Sequence, residues 1–374
     1  MMKDNLIKLI NTENEIIVEN NNTTKSYNLY FEKNNGISLY NKRFKSQKLT
    51  YSEYNIVVRT CLSVIKNIKK KTHSYPNKLS VLDFGCGDGR YFKAFVKVAN
   101  ILKSKGIILE LINYDPSYIG LQCYQNELMN IGFKLNSSVN LHQIQEDSFK
   151  GYEVSTLLKD NLKVKFIHGN ANDDSKYIME LLGGENSVDL IFCMFGVLSH
   201  IPMQTARIDI LTIFNQMVNI WGKVVVSVPA YKDFKKELIT YDQLRREKNV
   251  LDTHKNPLSF IDYKGILGSV SEEGDIYYCR YDDEKAIRIY YNLYNFNRFK
   301  NDLKNSGLSI NSLNILNFWH PSKVAGRVIL SISDYLISFI LSRICKIFKN
   351  SVNFTSYIVS ICSKDTNDDK KTPY

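Results

Sequence analysis

Residues 81–90 read VLDFGCGDGR, an apolar run that carries one acid, Asp83, and then glycines at 85, 87 and 89. Glycine tolerates positive φ and brings no Cβ, so such a turn lets the backbone approach a ligand closely at the edge of a sheet. The spacing excludes two common phosphate-gripping turns. A dinucleotide turn needs GxGxxG and a phosphate loop needs a following GK[ST], whereas this chain has GxGxG and no such Lys.

Three further groups carry polar chemistry. Asp115 ends the run LINYDPS, where a carboxylate can accept from two neighbouring hydroxyls or cap the next helix. Asn170 and Ala171 lie in VKFIHGNANDD, and Phe195, Gly196 and His200 lie in VDLIFCMFGVLSHIP. His200 titrates near working pH, so it can take up a proton or orient a substrate; capping a helix or packing would account for it equally well. Arg288, Tyr290, Tyr291 and Asn292 lie in IRIYYN, either facing a substrate or forming cross-strand aromatic pairs in a hairpin. The seven cysteines are an odd number with no CxxC pair, which points to a reducing compartment with neither a disulfide framework nor a zinc site.

These groups need strands to position them. Short β-branched runs alternate with longer helical stretches from residue 80 onward, the pattern of an α/β sheet with helices on both faces. Strands are expected at 80–84, 109–115, 164–169, 188–195, 223–228, 308–315 and 354–362, and helices at 90–104, 118–131, 175–183, 203–220 and 295–306. The last helix should close at Gly307. Two connections, 132–163 and 230–294, are long; the second contains GDIYYCRYDDEKAIRIYY, a hairpin turning at DDEK. Insertions after strand C-termini overhang the ligand edge, so 230–294 is read as a substrate lid.

VLDFGCGDGRYF resembles the first motif of the class I S-adenosylmethionine (SAM)-dependent methyltransferases, and NYDPS, HGNAND and FCMFGVLSH follow at that family's spacings. The resemblance implies a seven-stranded, mostly parallel Rossmann-like sheet of order 3-2-1-4-5-7-6 with the last strand antiparallel. It implies SAM as cofactor, with Asp83 partnering its amino group and Gly85, Cys86 and Gly87 forming the floor. Asp115 would then hold the ribose hydroxyls, Asn170 and Ala171 the adenine side, and Phe195 and Gly196 the methyl-donor cavity. His200 and Tyr291 become the catalytic candidates, and Arg288, Tyr290 and Asn292 the substrate side.

The implied reaction is direct displacement onto an O or N acceptor of a small molecule or nucleic acid. An Asn-Pro-Pro-Tyr signature is missing after the fourth strand, which favours an oxygen, carboxylate or small-molecule acceptor. IRIYYNLYNF is similar to an element of the tRNA wobble-uridine carboxymethyl methyltransferases, except that Asn292 stands at their His position and their VPW signature is absent. A tRNA acceptor and a SAM-binding accessory protein without turnover remain as alternatives.

At 374 residues, with 44% apolar and 23% charged, the chain suits a globular methyltransferase domain over 76–374 behind an N-terminal helical or irregular extension over 1–75, with a flexible tail at 364–374. The net charge of +11 fits an anionic partner, although the lysines are spread thinly and KNIKKK at 66–71 is their densest run. An amphipathic helical cap is read at 320–350, with 323–348 available for peripheral membrane contact. Its apolar stretch of about 15 residues carries Asp334 and falls short of the roughly 20 that a span needs. The N-terminus has no apolar signal region, so a cytoplasmic location is expected.

Overall fold

The computed structural model describes residues 16–17, 33–34, 37–38, 51–138, 152–170, 175–231, 259–261, 274–281, 286–317 and 356–364. In chain order the elements are β1 (Ile16–Ile17), β2 (Lys33–Asn34), β3 (Ile37–Ser38), α1 (Tyr51–Thr72), β4 (Lys78–Phe84), α2 (Phe92–Lys103), β5 (Ile108–Asp115), α3 (Tyr118–Asn130), β6 (Lys134–Ser138), β7 (Tyr152–Lys159) and β8 (Leu162–His168). Then follow α4 (Ser175–Leu181), β9 (Val188–Cys193), a 3-10 turn (Val197–His200), α5 (Gln204–Met217), β10 (Val218–Pro229), β11 (Ser259–Ile261), β12 (Asp275–Tyr281), β13 (Ala286–Asn292), α6 (Phe296–Asn305), β14 (Leu308–Asn317) and β15 (Ser356–Lys364).

The central strands are near-continuous apolar runs because helices cover both of their faces. Leu79, Val81, Leu109, Leu111, Val164 and Phe166 point into one core, shared with α1, α2 and α3. Leu82, Ile112, Ile191, Val224 and Val226 point into the other, shared with α4, α5 and α6. Helix α2 buries Ala94, Phe95, Val98, Ala99 and Leu102, a helical-period stripe. Helix α1 joins the same core through Val57, Cys61, Val64, Ile65 and Ile68, and Lys69, Lys70 and Lys71 sit in its last turn, where cations oppose the helix dipole. Helix α6 starts with the Asn295 side chain accepting from the Arg298 N–H and is followed by Gly307 at φ 75°.

The main sheet runs β14-β15-β10-β9-β4-β5-β8-β7-β6. Strand β15 is antiparallel to both β10 and β14. Numbered in chain order, the seven strands expected from the sequence thus run 3-2-1-4-5-7-6 across the sheet. The sheet is nine-stranded, however, because the connection at 132–163 supplies β6 and β7, which extend it antiparallel beyond β8. KLNSS has a single apolar residue and YEVSTLLK is half polar, so neither showed the β-branched run that marked the buried strands.

Strands β12 and β13 form the expected hairpin, paired from Asp275↔Asn292 to Tyr281↔Ala286. With β1 and β11 they make a second, four-stranded sheet. Beyond β13 the chain returns to the carboxyl end of β10: the Tyr294 N–H donates to the Pro229 carbonyl, and the Tyr231 N–H to the Tyr294 carbonyl. Tyr290 and Tyr291 therefore stand at the same sheet edge as the glycine turn. The rest of the expected lid, the helical cap at 320–350 with its membrane contact at 323–348, and the tail beyond 364 lie outside the described residues.

Candidate functional site

Strands β4, β5 and β9 are parallel neighbours, with Asp83 level with Asn113 on one side and Phe192 on the other. Their carboxyl ends open one after another into the glycine turn, Asp115 and the Phe195–His200 segment. The turn is anchored to β5: the N–H groups of Gly85 and Cys86 both donate to the Tyr114 carbonyl, at 2.7 and 3.2 Å. Gly85 and Gly89 have φ of 76° and 89°. A Cβ at Gly85 would overlap the Val197 side chain, and one at Gly89 would overlap the Tyr124 ring. Gly87, at φ 56°, donates its N–H to Asp115 Oδ2 at 2.7 Å.

Asp115 therefore braces the turn. Its other oxygen, Oδ1, accepts from the Ser117 N–H at 2.7 Å, and Ser117 itself caps α3 by accepting from the Gly120 N–H. Asp115 is thus one step outside the helix-cap role considered for it. A carboxylate has about four lone-pair sites, so each oxygen keeps one for a ligand hydroxyl.

Asp83 is 2% exposed, and its Oδ2 has no hydrogen-bond partner among the described residues. Burial, with Asp115 nearby, pushes its carboxyl up to about 8; burial, partly offset by the Ser117 and Gly87 N–H groups, pushes Asp115 to about 7. Asp88 in the same turn is pushed to about 6 by burial and Glu127. Buried acids without a cation are costly, and a ligand that brings one removes the cost. Cys86 is buried with its thiol pushed well up, which makes it floor rather than nucleophile.

Asn170 is buried just beyond β8, whose last residue, His168, is level with Asp115. Ala171 lies outside the described residues. Burial lowers the His168 pKa, and its Nε2 lies 2.9 Å from the Pro116 carbonyl. A carbonyl only accepts, so Nε2 carries the hydrogen.

The Phe195–Gly196 pair is conformationally forced. Phe195 has φ 62°, uncommon for a bulky residue, and its N–H donates to Ser227 Oγ at 2.6 Å. Gly196 has φ 78°, donates to the Ser227 carbonyl, and has the Tyr291 hydroxyl where a Cβ would stand. The Phe195 ring lies under the Arg90 guanidinium, 4.1 Å from the ring centre, and stacks on Tyr357 at 5.7 Å. The Tyr357 and Tyr291 hydroxyls are 3.1 Å apart. His200 packs at 4.7 Å on Tyr291, with Nδ1 3.1 Å from the Tyr290 carbonyl. The carbonyl assigns a hydrogen to Nδ1. Burial lowers the His200 pKa to about 4, so the ring is neutral at working pH.

The structure thus brings Asp83, Gly85, Cys86, Gly87 and Asp115 together, and joins Phe195 and Gly196 to His200, Tyr290 and Tyr291. Asn292 is fully buried, opposite Asp275 in the hairpin. Arg288 is placed by its backbone, opposite Cys279. Sequence reasoning missed Ser227, Tyr357 and Glu53. Glu53, fully buried on α1, binds Arg90 at 3.0 Å and accepts from the Tyr91 hydroxyl at 2.9 Å, which ties the N-terminal helix to the residues after the glycine turn. A lone acid in EYNIVVRT carries no local signal for a contact 37 residues away.

No family model matches the sequence, and no curated protein matches it. Solved structures with a similar chain trace include a S-adenosylmethionine-dependent methyltransferase from Clostridium acetobutylicum, 12% identical, covering 88% of this chain and 97% of that one at TM-score 0.41. SAM-dependent methyltransferase from Methanosarcina mazei is 14% identical over 79% of this chain and 96% of that one, at TM-score 0.40. Geranyl diphosphate methyltransferase, solved with geranyl diphosphate and sinefungin, is 9% identical over 84% and 78%, at TM-score 0.38. The sheet's own strand order, with an antiparallel β15 between β10 and β14, is the one that the resemblance to class I SAM-dependent methyltransferases implied. The residues at its carboxyl edge fit the cofactor that resemblance implies: a buried carboxylate with one unpartnered oxygen for an ammonium, a second carboxylate with spare lone pairs, and a glycine turn at positive φ beside them. Among the described residues, no helix is long and apolar enough to cross a membrane.

Proposed function

We propose that the chain is a SAM-dependent methyltransferase that passes the methyl group by direct displacement to an oxygen, or nitrogen, acceptor on a small molecule or nucleic acid. The observation that carries this reading is Asp83, a buried carboxylate with an unpartnered oxygen beside a glycine turn packed against Val197 and Tyr124. When bound, SAM supplies a methyl already activated on a sulfonium. The chain's own residues then have to hold, orient and keep water away. Asp83 receives the ammonium end, and Asp115 receives ribose hydroxyls on its spare lone pairs while bracing Gly87. Asn170 borders the adenine side.

Phe195 and Gly196 close the donor side against the aromatic group of Tyr291 and Tyr357. That group is where an acceptor packs, and alignment there contributes most of the rate, since effective molarities for well-oriented partners reach roughly 10⁵–10⁸ M. Burial lowers the His200 pKa to about 4, against the titration near working pH expected from the sequence, so His200 serves here as a neutral group that orients an acceptor hydroxyl while the proton passes to solvent; Tyr291 packs on its ring. Calorimetry with SAM and with S-adenosylhomocysteine tests the cofactor half, and micromolar binding that Asp115→Ala abolishes is expected. Transfer of labelled methyl into fractionated tRNA and small-molecule pools tests the acceptor half. His200→Gln should then lower kcat by about tenfold, through lost alignment of the acceptor, while leaving SAM affinity within twofold. Binding without transfer to any pool would favour the accessory reading.

A further inference from the structure

The edge of the main sheet farthest from β14 is built by the β6–β7 hairpin, which the glycine turn and its acids do not use. Eight large apolar side chains are exposed among the described residues, and four of them crowd this edge: Met129 at 45%, Ile131 at 52%, Leu135 at 47% and Leu158 at 44%. Such a concentration marks an interaction site, since single exposed apolar residues are scattered on ordinary surfaces. The strand register places them on both sides of the edge. Leu135 is level with the buried Leu157, on the helix-covered face, next to the end of α3 that carries Met129 and Ile131. Leu158 is level with Lys134 and Lys163 on the opposite face.

Lysines interleave with these aliphatic groups. Lys134 and Lys159 are exposed, and neither pairs with a carboxylate among the described residues. Lys159 donates to the Ile131 carbonyl and lies over the Phe133 ring, which holds its charge beside the apolar group. Lys163 and Lys165 stand further in, sharing Glu110 with Lys78. The edge therefore carries apolar and cationic groups together, with Asp160, beside Lys159, paired to Lys103 and Glu127 the exposed acid at the α3 end.

We propose that this edge docks on the surface of an anionic lipid bilayer. The aliphatic side chains enter the boundary between headgroups and acyl chains, and Lys134 and Lys159 pair with the lipid phosphates. A nucleic acid would use the lysines but offers no place for four aliphatic groups. A twofold-related copy of the chain would take the aliphatic groups but, among the described residues, offer the exposed lysines no anionic partner of its own edge beyond Glu127. A bilayer carrying negative lipids satisfies both sets of groups. The inference is independent of methyl transfer, because it rests on the hairpin edge alone and is tested without SAM.

The test is flotation of the full chain with vesicles of phosphatidylcholine, with and without phosphatidylglycerol. Binding is expected only to the anionic vesicles and should be lost at high salt. The double variant Lys134→Glu/Lys159→Glu should weaken it by about tenfold or more, and Leu135→Ser/Leu158→Ser by several-fold. Both variants alter exposed side chains, and an unchanged melting transition verifies that each still folds. No binding to anionic vesicles overturns the proposal, as does binding that both variants leave unchanged, which would move the contact elsewhere in the chain. Salt-dependent RNA binding without vesicle binding, or a dimer that Leu135→Ser/Leu158→Ser dissolves, would assign the edge to another partner and overturn it equally.

Discussion

Strand β5 carries two acids in opposite situations. Glu110, near its start, is buried but meets Lys78 at 2.7 Å, Lys163 at 3.2 Å and Lys165 at 3.4 Å. Burial works against its charge, yet the three lysines win and pull its carboxyl down to about 2. Asp115, at the other end, meets only N–H groups and rises to about 7, and Asp83 beside it on β4, with an unpartnered oxygen, rises to about 8. Among the described residues, cations pair with Glu110 and with neither Asp83 nor Asp115. An acid with its cations is complete; the two buried acids at the carboxyl edge, without such partners among the described residues, are what the proposed cofactor site rests on.

The contrast is most sharply broken by Asp115→Ala, which removes the brace on Gly87 together with the ligand contact. A SAM titration should show a loss of about 100-fold or more, two charge-assisted hydrogen bonds being involved. Next in size is Asp83→Asn. It should lose about 10- to 150-fold in SAM affinity, the equivalent of one charge-assisted bond at about 1.5–3 kcal/mol, yet melt higher than wild type at pH 9 without ligand. The two readouts move in opposite directions because the charge is a burden until the ligand arrives.

The third prediction concerns pH. Raised carboxyl pKa values contribute stability that is fully present below the ordinary value of 3.8 and is lost as pH climbs through about 7 and 8. The ligand-free protein should lose stability from about pH 4 to about pH 8 through these two groups, and SAM affinity should rise up to the same limit by up to about tenfold per pH unit for each group that must ionise. Glu110 has the reverse sign: its contribution is present above its ordinary 4.5 and disappears as pH falls toward about 2. The smallest effect is therefore expected from Glu110→Gln at neutral pH. It should cost about 1 kcal/mol of stability, since its lysine partners are partly exposed, and leave SAM binding within twofold.

Much of the proposed cofactor site was legible in the sequence because its residues are written locally. Asp83, Gly85, Gly87 and Gly89 fall within seven residues, and Asp115 closes a strand whose apolar run is unmistakable. The acceptor side was less legible because its contacts join distant segments. Tyr291 meets Tyr357 across 66 residues, His200 meets Tyr290 across 90, and Ser227 holds Phe195 from the next strand. Ser227 in KVVVSVP reads simply as a polar residue in a strand; only the positive φ of Phe195 reveals its task. The β6–β7 hairpin escaped for a different reason: edge strands bury one side at most, and KLNSS keeps even its leucine exposed.

The central claim is that Asp83 and Asp115 give up protons to receive a cationic ligand. Calorimetric titration of SAM at pH 7, repeated in buffers of different ionisation enthalpy, counts those protons directly. The account predicts micromolar binding with net release of about one proton or more, reduced in Asp83→Asn and unchanged in Glu110→Gln. Binding with no proton release, or an Asp83→Asn variant that binds SAM as tightly as wild type, would contradict it.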